Sequence, residues 1–109
     1  AQRDRDTGIT RDFTAAQIRI FKNMLYYDKV PTCCGPAQLM RVAALADMLC
    51  DARHACMCVF DVALDDFWAA YDLAKEWHRA VPVLAAAARR QLPQLVRCSR
   101  LAEIVDIVV

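Results

Sequence analysis

The hydrophobic residues of this chain recur at intervals of three and four positions, which is the repeat of an amphipathic α-helix. No segment shows a strict alternation of polar and apolar residues that would favour a strand over a helix. The pattern therefore predicts an all-α fold, a compact bundle of five or six short helices. The four clearest apolar stripes are Ile18, Phe21 and Leu25; Leu39, Val42, Ala46 and Leu49; Phe67, Ala70, Ala74, Trp77 and Val81; and Leu101, Ile104, Val105 and Val108.

Several residues mark where the first two helices begin. Thr14 is a favourable N-cap, and Gln17 stands three residues later, where its side chain completes a capping box. Phe13 and Ile18 are spaced as a hydrophobic staple across that cap. Pro36 is placed to open the second helix, since proline is favoured at the first helical position.

The later helices carry the tryptophans. Trp77 lies on the apolar stripe that starts at Phe67, so we expect it, rather than Trp68, to be central to the core. Pro82 ends or kinks that helix, because proline cannot donate a backbone hydrogen bond in a helix interior. Ser99 is placed to cap a last helix.

The pattern divides the chain into a tail and one domain. Residues 1–12 alternate arginine and aspartate without apolar spacing, which is typical of a disordered tail. Residues 13–109 are predicted to form a single helical domain, a size at which one hydrophobic core is usual. No apolar run reaches the roughly 18 residues that a membrane-spanning helix needs.

Composition adds a reason to expect a partner. Hydrophobic residues make up 58 % of the 109 residues, compared with roughly 45–50 % in ordinary soluble domains. A domain this small cannot cover such an excess alone, so we expect an apolar surface that meets another protein. The last stripe is the candidate interface, and a homodimer is the simplest assembly because two-fold dimers are the commonest. The interface residues are Leu101, Ile104, Val105 and Val108.

Charge is unevenly distributed although the net charge is only +1. Residues 47–76 contain seven acidic residues, whereas residues 79–100 contain five arginines and no acidic residue. These arginines are a candidate basic patch for an acidic protein or for nucleic acid. Nucleic acid is the weaker alternative, because the patch lacks interleaved aromatic residues and the acidic segment repels a polyanion. The patch consists of Arg79, Arg89, Arg90, Arg97 and Arg100.

Six cysteines allow three interpretations. In the first, the cysteines are buried as small hydrophobic residues. In the second, they form disulfides, for which 15 pairings exist. In the third, some of them bind zinc. Free thiols favour a cytoplasmic protein and disulfides favour a secreted one, and the sequence leaves the localisation open.

The zinc hypothesis depends on where the second helix ends. That helix either runs on to Cys58 or breaks near Asp51. If it runs on, Cys50, His54 and Cys58 lie at i, i+4 and i+8 on one face. The candidates for a fourth ligand are Cys34, Cys56 and His78. Thiolates and imidazoles are the ligands that zinc prefers, and a structural site uses four of them.

Nothing in the sequence identifies a catalytic site. There is no glycine-rich phosphate loop and no serine-centred nucleophile elbow. The sequence therefore predicts a non-catalytic protein–protein interaction or self-association module of a regulatory or scaffold type, not an enzyme. One alternative is a zinc-stabilised nucleic-acid-binding or regulatory domain. The other is a secreted, disulfide-stapled helical effector or carrier.

Overall fold

The computed structural model describes residues 12–32 and 34–108, which fold into seven α-helices and one 3-10 helix without any strand. The predicted all-α helical bundle is confirmed. Most of the predicted tail, residues 1–11, lies outside the described residues. The helices are α1 (Ala15–Tyr27), α2 (Pro36–Met48), α3 (Ala52–Asp65), α4 (Phe67–Ala74), the 3-10 helix (His78–Ala80), α5 (Val81–Arg90), α6 (Leu92–Leu95) and α7 (Leu101–Val108).

The capping box at the start of α1 is present as predicted. The backbone N–H of Gln17 donates to Thr14 Oγ1 at 3.1 Å, and the backbone N–H of Thr14 donates to Gln17 Oε1 at 3.0 Å. Phe13, which precedes the cap, is buried beneath the guanidinium of Arg41, which lies 4.7 Å from its ring centre. Helix α1 thus begins where its local sequence specifies.

Helix α2 ends in a Schellman motif whose left-handed residue is Cys50, with φ of 63°. The N–H of Cys50 donates to the carbonyl of Asp47 at 3.0 Å, and the N–H of Asp51 donates to that of Ala46 at 2.8 Å. These two bonds satisfy carbonyls that the helix end would otherwise leave unpaired. Of the two predicted alternatives, the break near Asp51 is therefore the one that occurs.

Helix α3 is the centre of the bundle, and helices α2, α4 and α5 pack along it. Helix α1 runs antiparallel to it, because Met24 contacts Cys58 whereas Asp28 contacts His54. Helix α2 reaches α3 through the tight turn at Cys50 and packs against it more extensively than any other helix does.

The tight turn at Cys50 reverses the chain, so α2 also runs antiparallel to α3. Helices α1 and α2 therefore run parallel to each other. The described residues that connect them, 28–32 and 34–35, pass along α3 from its start to its end. Asp28 lies beside His54 in the first turn of α3, whereas Pro31 and Cys34 share a small cavity with Asp65, the last residue of α3.

The second half of the chain covers the other side of α3. Helix α5 runs parallel to α3, since Cys56 donates to the carbonyl of Arg79 at 3.3 Å and Gln91 donates to that of Ala63 at 2.6 Å. Helix α4 packs between α3 and α5, and α7 packs on α5.

The expectation that Trp77 is central to the core is wrong. Helix α4 ends at Ala74, and Trp77 has an extended backbone in the turn before the 3-10 helix. Pro82 instead occupies the first turn of α5, where no backbone N–H is required. Trp77 and Trp68 are both half-buried at the margin, while Phe67 is the buried aromatic residue of this region.

Candidate functional site

The four candidate zinc ligands do not form one cluster. Cys50 is exposed in the turn before α3, and Cys58 is fully buried on α3, with its sulfur 3.5 Å from Met24 Sδ. Burial raises the pKa of the Cys58 thiol to about 12, with smaller contributions from Asp61 and Cys34. Across residues 12–32 and 34–108, no group of three histidine, cysteine or acidic side chains is placed to hold a metal ion.

Four cysteines have free thiols in the structure: Cys50, Cys56, Cys58 and Cys98. A disulfide framework that used all six cysteines is therefore not formed in this conformation. The interpretation of the cysteines as small buried residues fits Cys58 best, since it is the one among the four that is fully buried.

His54 forms a polar cluster that the sequence did not suggest. Its Nδ1 lies 2.7 Å from Asp51 Oδ2, and its Nε2 lies 3.1 Å from Asp28 Oδ1. Arg53 binds both oxygens of Asp28 with its guanidinium. We call these four residues the His54 clasp. Because Asp28 ends α1 and Asp51 precedes α3, the clasp ties two helix termini together.

Each member of the clasp has a structural reason for its position. Asp28 adopts a left-handed conformation, φ 58°, which aspartate tolerates better than most residues. Asp51 also caps α3, since its Oδ1 accepts the backbone N–H of His54 at 3.2 Å. The hydrogen bonds from Arg53 hold the pKa of Asp28 below its ordinary value, assisted by those from His54.

The geometry of the clasp favours a structural role for His54 over a catalytic one. His54 is only 8 % exposed, and carboxylates occupy both of its ring nitrogens. A general base needs a nitrogen that reaches the proton of a nucleophile or substrate. No hydroxyl or thiol of the described residues is hydrogen-bonded to His54.

A second feature lies between the parallel helices α3 and α5. It is a shallow groove of about 470 Å³, open to solvent, and almost all of its lining is apolar. One face of α3 and one face of α5 form its walls, since the lining residues recur on each helix at intervals of one, three and four. We call it the α3–α5 groove. It is lined by Arg53, Cys56, Met57, Phe60, Pro82, Val83 and Ala86.

The α3–α5 groove has a sequence signal that is clear once the helix bounds are known. Helix α3 buries one apolar face that includes Ala55 and Val59, yet Met57 and Phe60 place further apolar groups on another side. A helix that is apolar on more than one side has apolar surface beyond the face that packs in the core of the bundle. The hydrophobic pattern leaves the bounds of α3 open, so the sequence alone does not predict this second face.

The predicted interface on α7 is largely covered by the chain itself. Ile104 is fully buried, Leu101 and Val108 pack against the core, and Val105 is 42 % exposed. The hydroxyl of Tyr71 donates to the carbonyl of Glu103 at 3.1 Å, which fixes the start of α7 on α4. Val105 is thus the most accessible member of the stripe, and association through it stays a prediction.

The predicted basic patch is partly used within the molecule. Arg100 pairs with Asp72 and Glu103, and its guanidinium lies 4.3 Å from the ring centre of Trp68. Arg89 donates to the carbonyl of Val108 at 3.3 Å, near the end of α7. These two arginines hold α7 in place. Arg79, Arg90 and Arg97 are exposed.

No protein-family model, no curated protein and no solved structure matches this chain. Its function must therefore be inferred from its own surfaces. None of the helices in the described residues is long and apolar enough to cross a membrane.

Proposed function

We propose that this protein is a non-catalytic protein-interaction module, and that the α3–α5 groove binds an amphipathic helix of a partner protein. The observation that carries the proposal is the groove itself, an open apolar channel between two parallel helices. It extends the expectation, drawn from composition, that an apolar surface meets another protein.

The shape of the groove favours a helix over a small molecule. Pockets for small ligands bury most of the ligand in a concave cavity, whereas this groove is shallow and open. Amphipathic helices bind in apolar grooves through side chains at i, i+3, i+4 and i+7. Met57, Phe60 and Val83 present apolar side chains on both walls for such contacts.

Unused hydrogen-bond donors at one end of the groove favour an acidic partner. No carboxylate lines it, and the guanidinium of Arg53 does. Only two of the hydrogen bonds that a guanidinium can donate are used on Asp28. Arg79 is exposed beside the same end, where its carbonyl accepts the thiol of Cys56. Acidic residues flanking the apolar stripe of a partner helix would therefore be attracted here.

The other candidate functions have less support. A zinc-stabilised domain needs its ligands in one place, and Cys50, His54 and Cys58 lie in three different environments. Binding of nucleic acid through the basic patch would compete with the intramolecular contacts of Arg89 and Arg100. A homodimer through α7 would rest mainly on Val105, because Ile104 is already buried.

The test is a fluorescence anisotropy titration with a designed helical peptide of about 15 residues, with leucines at i, i+3, i+4 and i+7 and glutamates elsewhere. A peptide with lysines in place of the glutamates is the charge control. We expect the acidic peptide to bind and the basic peptide to bind at least about tenfold more weakly.

Two variants locate the binding site. Ala86→Glu places a charge in the groove and should weaken binding of the acidic peptide by about tenfold or more. Leu73→Glu, at a residue of α4 that is 58 % exposed and outside the groove, is the matched control and should bind normally. Circular dichroism checks that both variants are folded. Equal binding of the two peptides, or full binding by Ala86→Glu, would contradict the proposal.

A further inference from the structure

Helix α3 supplies the large side chains of the α3–α5 groove. Arg53, Met57 and Phe60 follow one another along its wall, whereas α5 contributes smaller residues such as Val83 and Ala86. Met57 and Phe60 are half-buried, and the side chain of Arg53 is 65 % exposed. At 1.5 Å per residue, the wall from Arg53 to Phe60 extends about 10 Å, which is two turns of a helix. A side chain that enters the groove therefore meets three chemically different groups of α3.

All three of these groups interact favourably with an aromatic ring. A thioether, as in Met57, makes favourable contacts with ring edges. A ring such as that of Phe60 attracts the edge of a second ring to its face. A guanidinium, as in Arg53, is attracted to the face of an aromatic ring. A leucine at the same place would gain from burial alone, so the chemistry of the wall favours an aromatic side chain over an aliphatic one.

The ion pair of Arg53 uses the edge of its guanidinium and leaves the faces unused. Nη1 and Nη2 donate to the two carboxylate oxygens of Asp28, which is the two-pronged arrangement that a planar guanidinium favours. No aromatic ring among residues 12–32 and 34–108 lies over this guanidinium. A ring from a partner could therefore stack on Arg53 without breaking its pair with Asp28.

Arg100 shows that this chain makes such a combined contact elsewhere. The guanidinium of Arg100 donates to Asp72 and Glu103, and the same group lies 4.3 Å from the ring centre of Trp68. One arginine thus binds carboxylates at its edge and an aromatic ring at its face. Arg53 has the carboxylate of this arrangement and lacks the ring.

We propose that the partner helix of the α3–α5 groove carries a tryptophan at one end of its apolar stripe, and that the indole stacks on Arg53 with an edge against Met57. This rests on the proposed function, since it names the side chain by which the partner helix is anchored. Tryptophan gives the strongest contact with a cation among the aromatic residues and is enriched among the residues that dominate binding. The rest of the stripe is aliphatic and covers Phe60 and Ala86.

Three acidic peptides test the anchor by fluorescence anisotropy. One carries leucine at all four positions of the stripe, and the other two carry tryptophan at its first or its last position. We expect one of the tryptophan peptides to bind about fivefold more tightly than the leucine peptide. The other should gain less, because only one end of the stripe can lie at Arg53.

The outcomes separate the anchor from the proposed function. If the leucine peptide binds and neither tryptophan peptide binds more tightly, the anchor is wrong and the groove remains a helix-binding site. If none of the three peptides binds, the proposed function fails and the anchor fails with it.

A matched pair of variants tests the stacking on Arg53. Arg53→Lys keeps the positive charge but removes the planar guanidinium, so the preference for the tryptophan peptide should fall from about fivefold to about twofold or less. The ratio of the two affinities cancels any effect that the substitution has on both peptides alike. Arg90→Lys, at an exposed arginine of α5 outside the groove, should keep the full preference. A preference that Arg53→Lys leaves unchanged would overturn the stacking.

The methyl group of Met57 reports the position of the ring directly. In a protein with ¹³C-labelled methionine methyl groups, the tryptophan peptide should shift the Met57 signal by its ring current, and the leucine peptide should shift it much less. Met24 is fully buried in the core and its signal should stay in place. The signal that is lost in Met57→Leu is assigned to Met57. Equal shifts with the two peptides would contradict the placement of the indole.

Discussion

Cys50 ends helix α2 in a backbone conformation that is sterically unfavourable for a residue with a side chain. Its φ of 63° lies in the left-handed region, where a β-carbon crowds the following carbonyl and glycine is normally found. The two hydrogen bonds of the Schellman motif, from Cys50 and Asp51, hold it in this conformation. Cys50 therefore connects α2 to α3 in a conformation that its side chain disfavours.

Replacing this residue by glycine should stabilise the protein. We expect Cys50→Gly to raise the free energy of unfolding by about 1 kcal/mol, because glycine adopts the left-handed region without a steric penalty. Urea denaturation measures the change. Cys50→Ala removes the thiol but keeps the β-carbon, so it should give no such gain. An equal gain in both variants would show that the thiol, and not the backbone, causes the strain.

The thiols should differ strongly in their reactivity. Thiolates, not thiols, attack disulfide reagents such as Ellman's reagent. Cys50 is exposed and should react first, whereas Cys58 is buried with its pKa raised to about 12 and should react only as the protein unfolds. Burial also raises the pKa of Cys56, so this thiol should be slower than Cys50. Single cysteine-to-serine variants assign the phases, and a fast phase lost in Cys58→Ser would contradict this order.

At the scale of the helix, a helix end that is set by neighbouring residues was predictable from the sequence, and one that is set by tertiary packing was not. Thr14 and Gln17 specify the start of α1 by contacts within four residues, so the sequence alone identified them. Helix α4 ends instead at Ala74, eight residues before Pro82. A stripe from Phe67 to Val81 satisfies helical periodicity whether or not the helix is continuous, which is why the role of Trp77 was predicted wrongly.

The capping box gives a direct test at this scale. Thr14→Ala removes the side chain that accepts the backbone N–H of Gln17, and it should destabilise the protein by about 1 kcal/mol. Thr14→Ser keeps a hydroxyl and should lose little. Thermal denaturation of the two variants measures the difference. If Thr14→Ser loses as much stability as Thr14→Ala, the methyl group of Thr14 contributes more to stability than its capping hydroxyl does.

At the scale of the whole molecule, the His54 clasp joins helices that are distant in sequence. The clasp should make the free energy of unfolding depend on pH in the acidic range. Arg53, and then His54, lower the pKa of Asp28 below its ordinary value of 3.8. A lowered pKa means that the clasp stabilises the fold above the unfolded value, and that this contribution is lost as the pH falls through the folded value.

Asp28→Asn isolates this effect from the lowered pKa values of Asp72 and Glu103, which shift in the same direction. Melting temperatures of the wild type and of Asp28→Asn should differ at pH values well above 3.8, where the carboxyl group of Asp28 is charged. The difference should shrink as the pH falls below 3.8, the ordinary value for this carboxyl group. A difference that does not change with pH would mean that the charge of Asp28 does not stabilise the fold.

The sequence predicted the fold class, which is confirmed, but it could not predict which apolar residues the fold leaves exposed. Periodicity identifies which residues share a helix face, but it does not tell which face another helix covers. Ile104 was expected at an interface and lies in the core, whereas Tyr26 lies on no predicted stripe and is 81 % exposed. The clasp was missed for the same reason, since Asp28 and His54 are 26 residues apart.

The parallel arrangement of α1 and α2 has a consequence for how the chain folds. Helices α2 and α3 are neighbours in sequence, so their hairpin closes a short loop and can form early. The contact between Met24 and Cys58 spans 34 residues, and the segment that follows α1 must first pack along α3. We therefore expect α1, although it precedes α2 and α3 in the chain, to dock after their hairpin has formed. In the folded protein, the same helix would be the first of the three to detach.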